Sequence, residues 1–411
     1  MPKISIKGVQ MPNSPIRKLA PFANAAKAKG LKVIHLNIGQ PDIATPELAM
    51  NAVRNTNRTI LEYSPSEGFE SYRVGLAKYY GRVGVDVQAN EILITTGGSE
   101  ALVFAFMSCL NPGDEVIIPE PFYANYNGFA TLAGVRIVPV TATLTSGFSL
   151  PPMEDFESAI TERTKAILIC NPGNPTGTKY ANKNLDALAL LVKKHDLFLM
   201  ADEVYREFTY DGELTRSILS QSGLEDHAIV IDSVSKRYSM CGARVGALVT
   251  KNQEVRAAAM KFAMARLSPP TLAQIASEAA LDTPMEYFNE IRNEYKIRRD
   301  TLVRGLRSIK GVSCPTPGGA FYAVAELPID DSDQFCQWIL DSFSRNGSTV
   351  MMAPNTGFYA TPGLGKKEVR LAYVLEVDEI QEAVECIREA LEVYPGRTES
   401  LSSAHSVSES L

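Results

Sequence analysis

Four polar clusters in this sequence have the residue types to bind and activate a small molecule. The stretch DSVSKRYSMCGARVG, Asp232 to Gly246, places one amine, Lys236, close behind Ser233 and Ser235, with Arg244 eight residues further on. The run leading into it, AIVIDSV, is apolar and β-branched, as a buried strand is. A lysine at the end of such a strand is costly to bury. It either reaches out to water or does chemistry, for example by forming a Schiff base with an aldehyde. Ser233, Ser235 and Arg244 could grip a phosphate, the arginine through charged two-pronged bonds. The plainer reading is a surface lysine and a structural ion pair.

Three further clusters add to this one. In TTGGSEAL, Gly97 and Gly98 let the chain turn tightly into a helix whose first N–H groups face one point, and Ser99 adds a hydroxyl. That suits a phosphate, although an ordinary helix start after a glycine turn looks the same. The string is neither a dinucleotide G-x-G-x-x-G loop nor a Walker loop. CNPGNPTG, Cys170 to Gly177, ends an apolar run in an Asn/Pro/Gly turn, leaving Asn174 to point at a ligand or simply to make the turn. In LFLMADEVY, Asp202 ends an apolar strand, where a carboxylate needs a partner or a helix to cap; Tyr205 stands three residues on. Together these give a phosphate cradle, a carboxylate, a hydroxyl, an amide and an amine. That inventory meets the needs of pyridoxal 5'-phosphate: a lysine for its aldehyde, an aspartate for its ring nitrogen, donors for its phosphate.

The elements that must position these residues alternate in type. EILITT, DEVIIPE, RIVPV, KAILICN, LFLMAD, AIVIDSV and RVGALVT read as short apolar strands. SEALVFAFMSCL, FYANYNGFATLAG and NLDALALLVKKHD read as helices between them. This predicts an α/β fold with a mostly parallel central sheet flanked by helices, and ligands bind beyond the carboxyl ends of such strands. From about residue 285 the pattern changes. The charged helix PMEYFNEIRNEYKIRRDTLVRGLRSI leads to CPTPGGAFYAVAEL, and two more helical runs flank VRLAYVL. A large domain over 46–284 is expected, with a smaller α+β domain built from 1–45 and 285–396. The Ser/Glu-rich end, 397–411, is expected to be a disordered tail.

Bulk composition excludes several classes. The 411-residue chain is 45% hydrophobic and 21% charged, ordinary for a globular protein. A net charge of −6 argues against a nucleic-acid partner. The six cysteines show no C-x-x-C spacing, so zinc and redox motifs are not expected and a reduced, cytoplasmic setting fits. The start lacks the apolar stretch of a signal peptide, and no run is long enough to span a membrane.

From LNIGQPD to VRLAYVL the sequence resembles the class I/II aminotransferases of the aspartate aminotransferase family, fold type I of the pyridoxal-phosphate enzymes. The strings NPGNPTG, ADEVY and SVSKRYSMCGARVG, in that order, carry the resemblance. It implies that Lys236 holds the cofactor as an internal aldimine and is the catalytic base. It also implies that Asp202 pairs with the ring nitrogen, that Tyr205 and Asn174 bond the ring's phenolic oxygen, and that Gly98, Ser99, Ser233 and Arg244 hold the phosphate. Tyr123 looks like the aromatic stacked on the ring. Tyr63, in LEYSPSEG, looks like the tyrosine that reaches a neighbouring subunit's phosphate, which implies a homodimer. Gly39 and Arg370 look like the backbone and side-chain partners of the substrate α-carboxylate.

The activity implied is transfer of an amino group between an L-amino acid, aspartate foremost, and 2-oxoglutarate. An aromatic, alanine or prephenate-type aminotransferase and a C–S lyase use the same scaffold. A non-catalytic sensor on this scaffold would need a DNA-binding segment ahead of it, for which the N-terminus leaves no room. Some aspartate aminotransferases of this subgroup carry a lysine where this chain has Ser99 and use it for the distal carboxylate. Arg17, or Arg266 from a partner subunit, are the candidate replacements.

Overall fold

The computed structural model describes residues 2–213 and 215–398; nearly all of the Ser/Glu-rich end lies outside them. In chain order its strands are β1 (Lys32–His35), β2 (Ile92–Thr95), β3 (Glu115–Glu120), β4 (Arg136–Thr141), β5 (Thr164–Cys170), β6 (Phe198–Asp202), β7 (Ala228–Ser233), β8 (Gly246–Val249), β9 (Tyr322–Glu326), β10 (Ser348–Met351), β11 (Ala353–Pro354) and β12 (Glu368–Ala372). Seven of them form the central sheet in the order β2-β8-β7-β6-β5-β3-β4. Every pairing among them is parallel except the two made by β8, which runs against both β2 and β7. The fold is α/β with a mostly parallel central sheet, as the alternation of elements predicts.

Successive side chains of these strands enter two different apolar cores, as the twofold period of a strand requires. Leu93, Val116, Ile118, Ala166 and Leu168 point into one, where helix Gly97–Cys109 contributes Leu102 and Phe104. Ile92, Ile94, Ile117, Ile167 and Ile169 point into the other, against Tyr72, Leu76, Leu185 and Leu188 of helices Glu70–Arg82 and Asn182–Lys194. Burial on both faces explains why the strands read as unbroken apolar runs.

The remaining strands form two small sheets. β9, β11 and β12 pair antiparallel, and β1 pairs in parallel with β10. Helices Met285–Arg307, Ser332–Ser342 and Val377–Val393 pack around them, and their buried apolar residues join the first of the two cores, apart from Phe288, which enters the second.

The strand directions decide where the polar clusters meet. Thr95, Glu120, Cys170, Asp202 and Ser233 end β2, β3, β5, β6 and β7, all at one edge of the sheet. Because β8 is reversed, its first residue, Gly246, lies at that same edge and brings Arg244 there. Gly246 must be glycine. A Cβ on it would lie 2.5 Å from the Gly97 carbonyl carbon and 2.6 Å from the Gly98 nitrogen, so the glycine turn and β8 are packed backbone to backbone.

Behind that edge lies a fully buried ionic cluster. Arg237 donates to Asp232 at 2.6 Å and to Glu207 at 2.9 Å, and Tyr80 donates to Asp232 at 2.8 Å. Burial alone would raise the Asp232 pKa, but the Arg237 and Arg206 guanidiniums outweigh it and hold the carboxyl at about 2. Replacing one partner of such a group strands the others in an apolar interior. Arg237→Met is therefore expected to cost about 3–5 kcal/mol, read as a drop in the urea midpoint at pH 7. A loss under about 1 kcal/mol would show that water reaches the abandoned carboxylates.

Candidate active site

At the carboxyl edge of the sheet the chain encloses a cavity of about 650 Å³. Its walls include Gly39, Gly98, Ser99, Tyr123, Asn174, Asp202, Tyr205, Ser233, Ser235, Lys236, Arg244 and Arg370. Of the candidate ligands expected from the sequence, Arg266 lies outside, and so does Tyr63. Tyr63 is 76% exposed and stands on the surface beside exposed Ile60 and Leu61.

One end of the cavity is built to receive an anion. Helix Gly97–Cys109 begins here, with Gly97 at φ +75°. A Cβ at Gly97 would meet an Arg244 Nη atom at 2.5 Å, so the glycine makes room for the guanidinium. Arg244 itself takes a left-handed backbone, φ +56°, and donates to the Cys241 carbonyl at 2.9 Å. A non-glycine residue in that region is strained, and here the strain aims a cation at a helix N-terminus. Ser233 Oγ bonds Ser235 Oγ at 2.9 Å and the Val245 carbonyl at 3.0 Å, which sets both hydroxyls at the mouth of β7.

Asp202, at the end of β6, also lines the cavity. It is only 6% exposed. Tyr126 donates to its Oδ2 at 2.8 Å, and the Val204 amide lies 3.4 Å from Oδ1. Among the described residues it has no ion-pair partner. Burial raises its pKa to about 6, a rise that the Tyr126 bond and the Val204 amide only partly offset. Asp202 thus serves weakly as a cap and is left open to a cation from the cavity.

Lys236 sits one turn beyond the end of β7, on the short helix Val234–Arg237, and is half-buried. Its Nζ donates to the Gly39 carbonyl at 2.7 Å and lies 3.7 Å from Cys241 Sγ. It points into the cavity and not outward to water. Tyr205 Oη lies 3.0 Å from Tyr322 Oη, and a Cβ on Gly39 would fall 1.9 Å from that same Tyr322 oxygen. Gly39 is therefore required for the backbone to pass this close.

Arg370, on β12, is fully buried. It donates to Asn174 Oδ1 at 3.0 Å and to the Asn37 carbonyl, and lies 4.7 and 4.8 Å from the ring centres of Tyr322 and Phe358. Its buried Nε has no hydrogen-bond partner among the described residues. A guanidinium so placed lacks an anion. Asn174 thus does two things: it faces the cavity and it anchors Arg370.

Several residues in or beside the cavity escaped the sequence reading. Tyr126 and Tyr322 resemble core aromatics in sequence. The only hints were an aromatic-rich helix start in YANYNGF and a Gly-Gly pair just ahead of Tyr322. Cys241, Asn125, Ser14 and Ile16 carried no signal of their own. Arg17 does line the cavity. Arg266 does not: it is tied within its own chain to the Ser66 and Ile94 carbonyls, both at 3.2 Å, and to Glu100.

Comparison with known proteins gives one answer. The family model "Aminotransferase class I and II" matches residues 32–387. The aspartate aminotransferase of Bacillus subtilis is 33% identical over 380 residues, 90% of this chain and 94% of that protein. Aspartate aminotransferase from Thermus thermophilus with maleate superposes with a TM-score of 0.86 at 29% identity, covering 95% of this chain and all of that one. Alanine aminotransferase from Pyrococcus furiosus does so with the same TM-score at 30% identity, over 94% and 99% of the two chains. The chain belongs to the class I and II aminotransferases and is a pyridoxal-phosphate-dependent transferase.

Proposed function

We propose that this enzyme moves an amino group between an L-amino acid, aspartate foremost, and 2-oxoglutarate, on pyridoxal 5'-phosphate held in the cavity described above. The observation that carries the reading is the buried Asp202 carboxylate, unpaired by any cation of the described chain, in the same cavity as the Lys236 amine. Resemblance to aspartate aminotransferases, one of them solved with the dicarboxylate maleate, supports the choice of substrate.

The residues fit the cofactor group by group. Gly98, Ser99, Ser233, Ser235 and Arg244 would hold the phosphate at the helix N-terminus. Asp202 would pair with the ring nitrogen, Tyr205 and Asn174 with the phenolic oxygen, and Tyr123 would cover a ring face. When bound, the protonated ring supplies an electron sink that makes the amino acid's Cα–H acidic. The chain supplies the rest. Asp202, ionised and dry, favours the protonated ring nitrogen. Lys236 Nζ is the amine that would hold the cofactor through its aldehyde and, when free, would serve as the base that takes the Cα proton and returns it. Arg370 and the Gly39 backbone fix the α-carboxylate, and so decide which bond at Cα faces Lys236.

Other parts of the proposal rest on placement. The exposed Ile60, Leu61 and Tyr63 support a homodimer in which Tyr63 reaches the neighbouring subunit's phosphate. The separate sheets support a large part over 46–284 and a smaller one from 1–45 and 285–396. Six unpaired cysteines support a reduced, cytoplasmic setting, and among the described residues no helix is long and apolar enough to cross a membrane.

Mixing the holoenzyme with single L-amino acids, with no oxo acid present, tests the reaction. One equivalent of oxo acid per site, a shift of the cofactor's visible absorption and no ammonia are expected. Sustained ammonia and pyruvate would mean a lyase. In Lys236→Ala the visible band of the lysine-linked cofactor should vanish and turnover should fall by at least about 10²-fold; normal turnover would remove Lys236 from its role.

Asp202 gives a pH test on the cofactor-free protein. Its folded pKa, about 6, lies above the ordinary 3.8. Between those values the folded state holds more protons than the unfolded state, so stability falls as pH rises. Relative to Asp202→Asn, the wild type should lose roughly 2–3 kcal/mol between pH 4 and pH 7, and added cofactor should abolish that loss. Parallel pH profiles for the two proteins, measured by urea unfolding, would contradict the placement of Asp202.

A further inference from the structure

The cavity wall carries four cations, Arg17, Lys236, Arg244 and Arg370, against one carboxylate, Asp202. Under the function proposed above, on which this inference rests, three of the cations have work: Lys236 at the aldehyde, Arg244 at the phosphate, Arg370 at the α-carboxylate. Arg17 has none. Its side chain has no hydrogen-bond or ion-pair partner among the described residues and is exposed to the cavity.

Its neighbours nevertheless hold it in place. Pro15 packs so tightly on Gly357 that a Cβ there would lie 2.2 Å from the proline ring. Ile16 packs on Ala124, Ala353 and Phe358, and Phe358 is the ring 4.8 Å from the Arg370 guanidinium. The Asn37 side chain donates to the Ile16 carbonyl at 3.3 Å, while its own carbonyl accepts from Arg370. On the other side Lys18 pairs with Asp333, and Leu19 is buried in the core. The backbone carrying Arg17 is thus tied through two residues, Phe358 and Asn37, to the Arg370 site. A rotamer-rich cation left alone on a fixed stretch of cavity wall suits a mobile anion that arrives with the substrate.

The geometry points to Arg17 as the residue that selects substrates with a second carboxylate, by binding the distal carboxylate of a dicarboxylic amino or oxo acid whose α-carboxylate lies at Arg370. Ser99 brings no charge to the cavity, and Arg266 is committed to backbone carbonyls and Glu100 in its own chain.

The test compares glutamate with 2-aminopentanoate, the same chain length without the second carboxylate, on the holoenzyme. In Arg17→Gln the glutamate-to-aminopentanoate ratio of kcat/KM should fall roughly tenfold to hundredfold. Arg17→Lys should recover part of it. Lys18→Gln, which removes the adjacent cation outside the cavity, should leave the ratio near that of the wild type. Calorimetry adds a readout without turnover: Arg17→Gln should weaken succinate binding but not butanoate binding. An unchanged ratio, an equal fall for both substrates, or an equal effect of Lys18→Gln would overturn the assignment. If no amino acid donates its amino group at all, the proposed reaction fails, and the succinate and butanoate titrations still decide the role of Arg17.

Discussion

Burying the Asp202 carboxylate at the end of an apolar strand, with a tyrosine hydroxyl and one amide for company, raises its affinity for a proton and leaves it short of a cation. The rest of the site answers that imbalance. A neutral, buried carboxylic acid would be nearly harmless to the fold. An ionised one is tolerable only if a positive group comes to it from the cavity. Lys236 lies in the same cavity, but its Nζ is drawn aside to the Gly39 carbonyl at 2.7 Å. The amine bonds a backbone carbonyl and makes no ion pair with the carboxylate, which leaves Asp202 without an ion-pair partner among the described residues.

The same accounting explains the contrast between two aspartates one strand apart. Asp202 and Asp232 are both buried, and burial pushes both pKa values upward. Arg237 and Arg206 hold Asp232 down at about 2, whereas Asp202, lacking such partners, rises to about 6. The paired cluster around Asp232 lies under the site and fixes the start of the Val234–Arg237 helix, hence the direction of Lys236. One carboxylate holds the scaffold and the other is kept available. This is the division expected where structural and functional charges share one sheet edge.

Much of this was legible in the sequence because parallel strands are buried on both faces. Their apolar runs stand out, and polar residues at their carboxyl ends stand out against them. Asp202, Asn174, Ser233 and Lys236 were found in this way, and the fold class followed from the alternation of elements. Arg244 was read as a candidate phosphate ligand by type, but the reason it reaches the cavity is the reversed direction of β8. No local pattern in RVGALVT reveals which way a strand runs. Tyr126 and Tyr322 were missed because a tyrosine that bonds an active-site group and one that fills a core have the same neighbours in sequence. Strand β1 and its partner β10 went unread because KVIH and STVM mix polar with apolar residues and so do not stand out as apolar runs, and their pairing joins positions some 300 residues apart.

The distribution of charge bears on how substrate is drawn in. The whole chain carries a net charge of −6, yet the cavity wall holds four cations to one carboxylate. A concave, partly buried surface of one sign focuses its field outward through the opening, while the acidic exterior repels anions elsewhere. Two of those cations, Arg370 and Arg17, are held by one connected patch of Asn37, Ile16 and Phe358. A molecule with two carboxylates meets favourable potential at both ends; one with a single carboxylate leaves Arg17 to water. Arg370 is buried and fixed while Arg17 is exposed, so on the proposed function the first would set the position of the α-carbon for every substrate. The second would follow chains of different length, so that under the same proposal recognition of the common end and choice among the variable ends fall to separate residues.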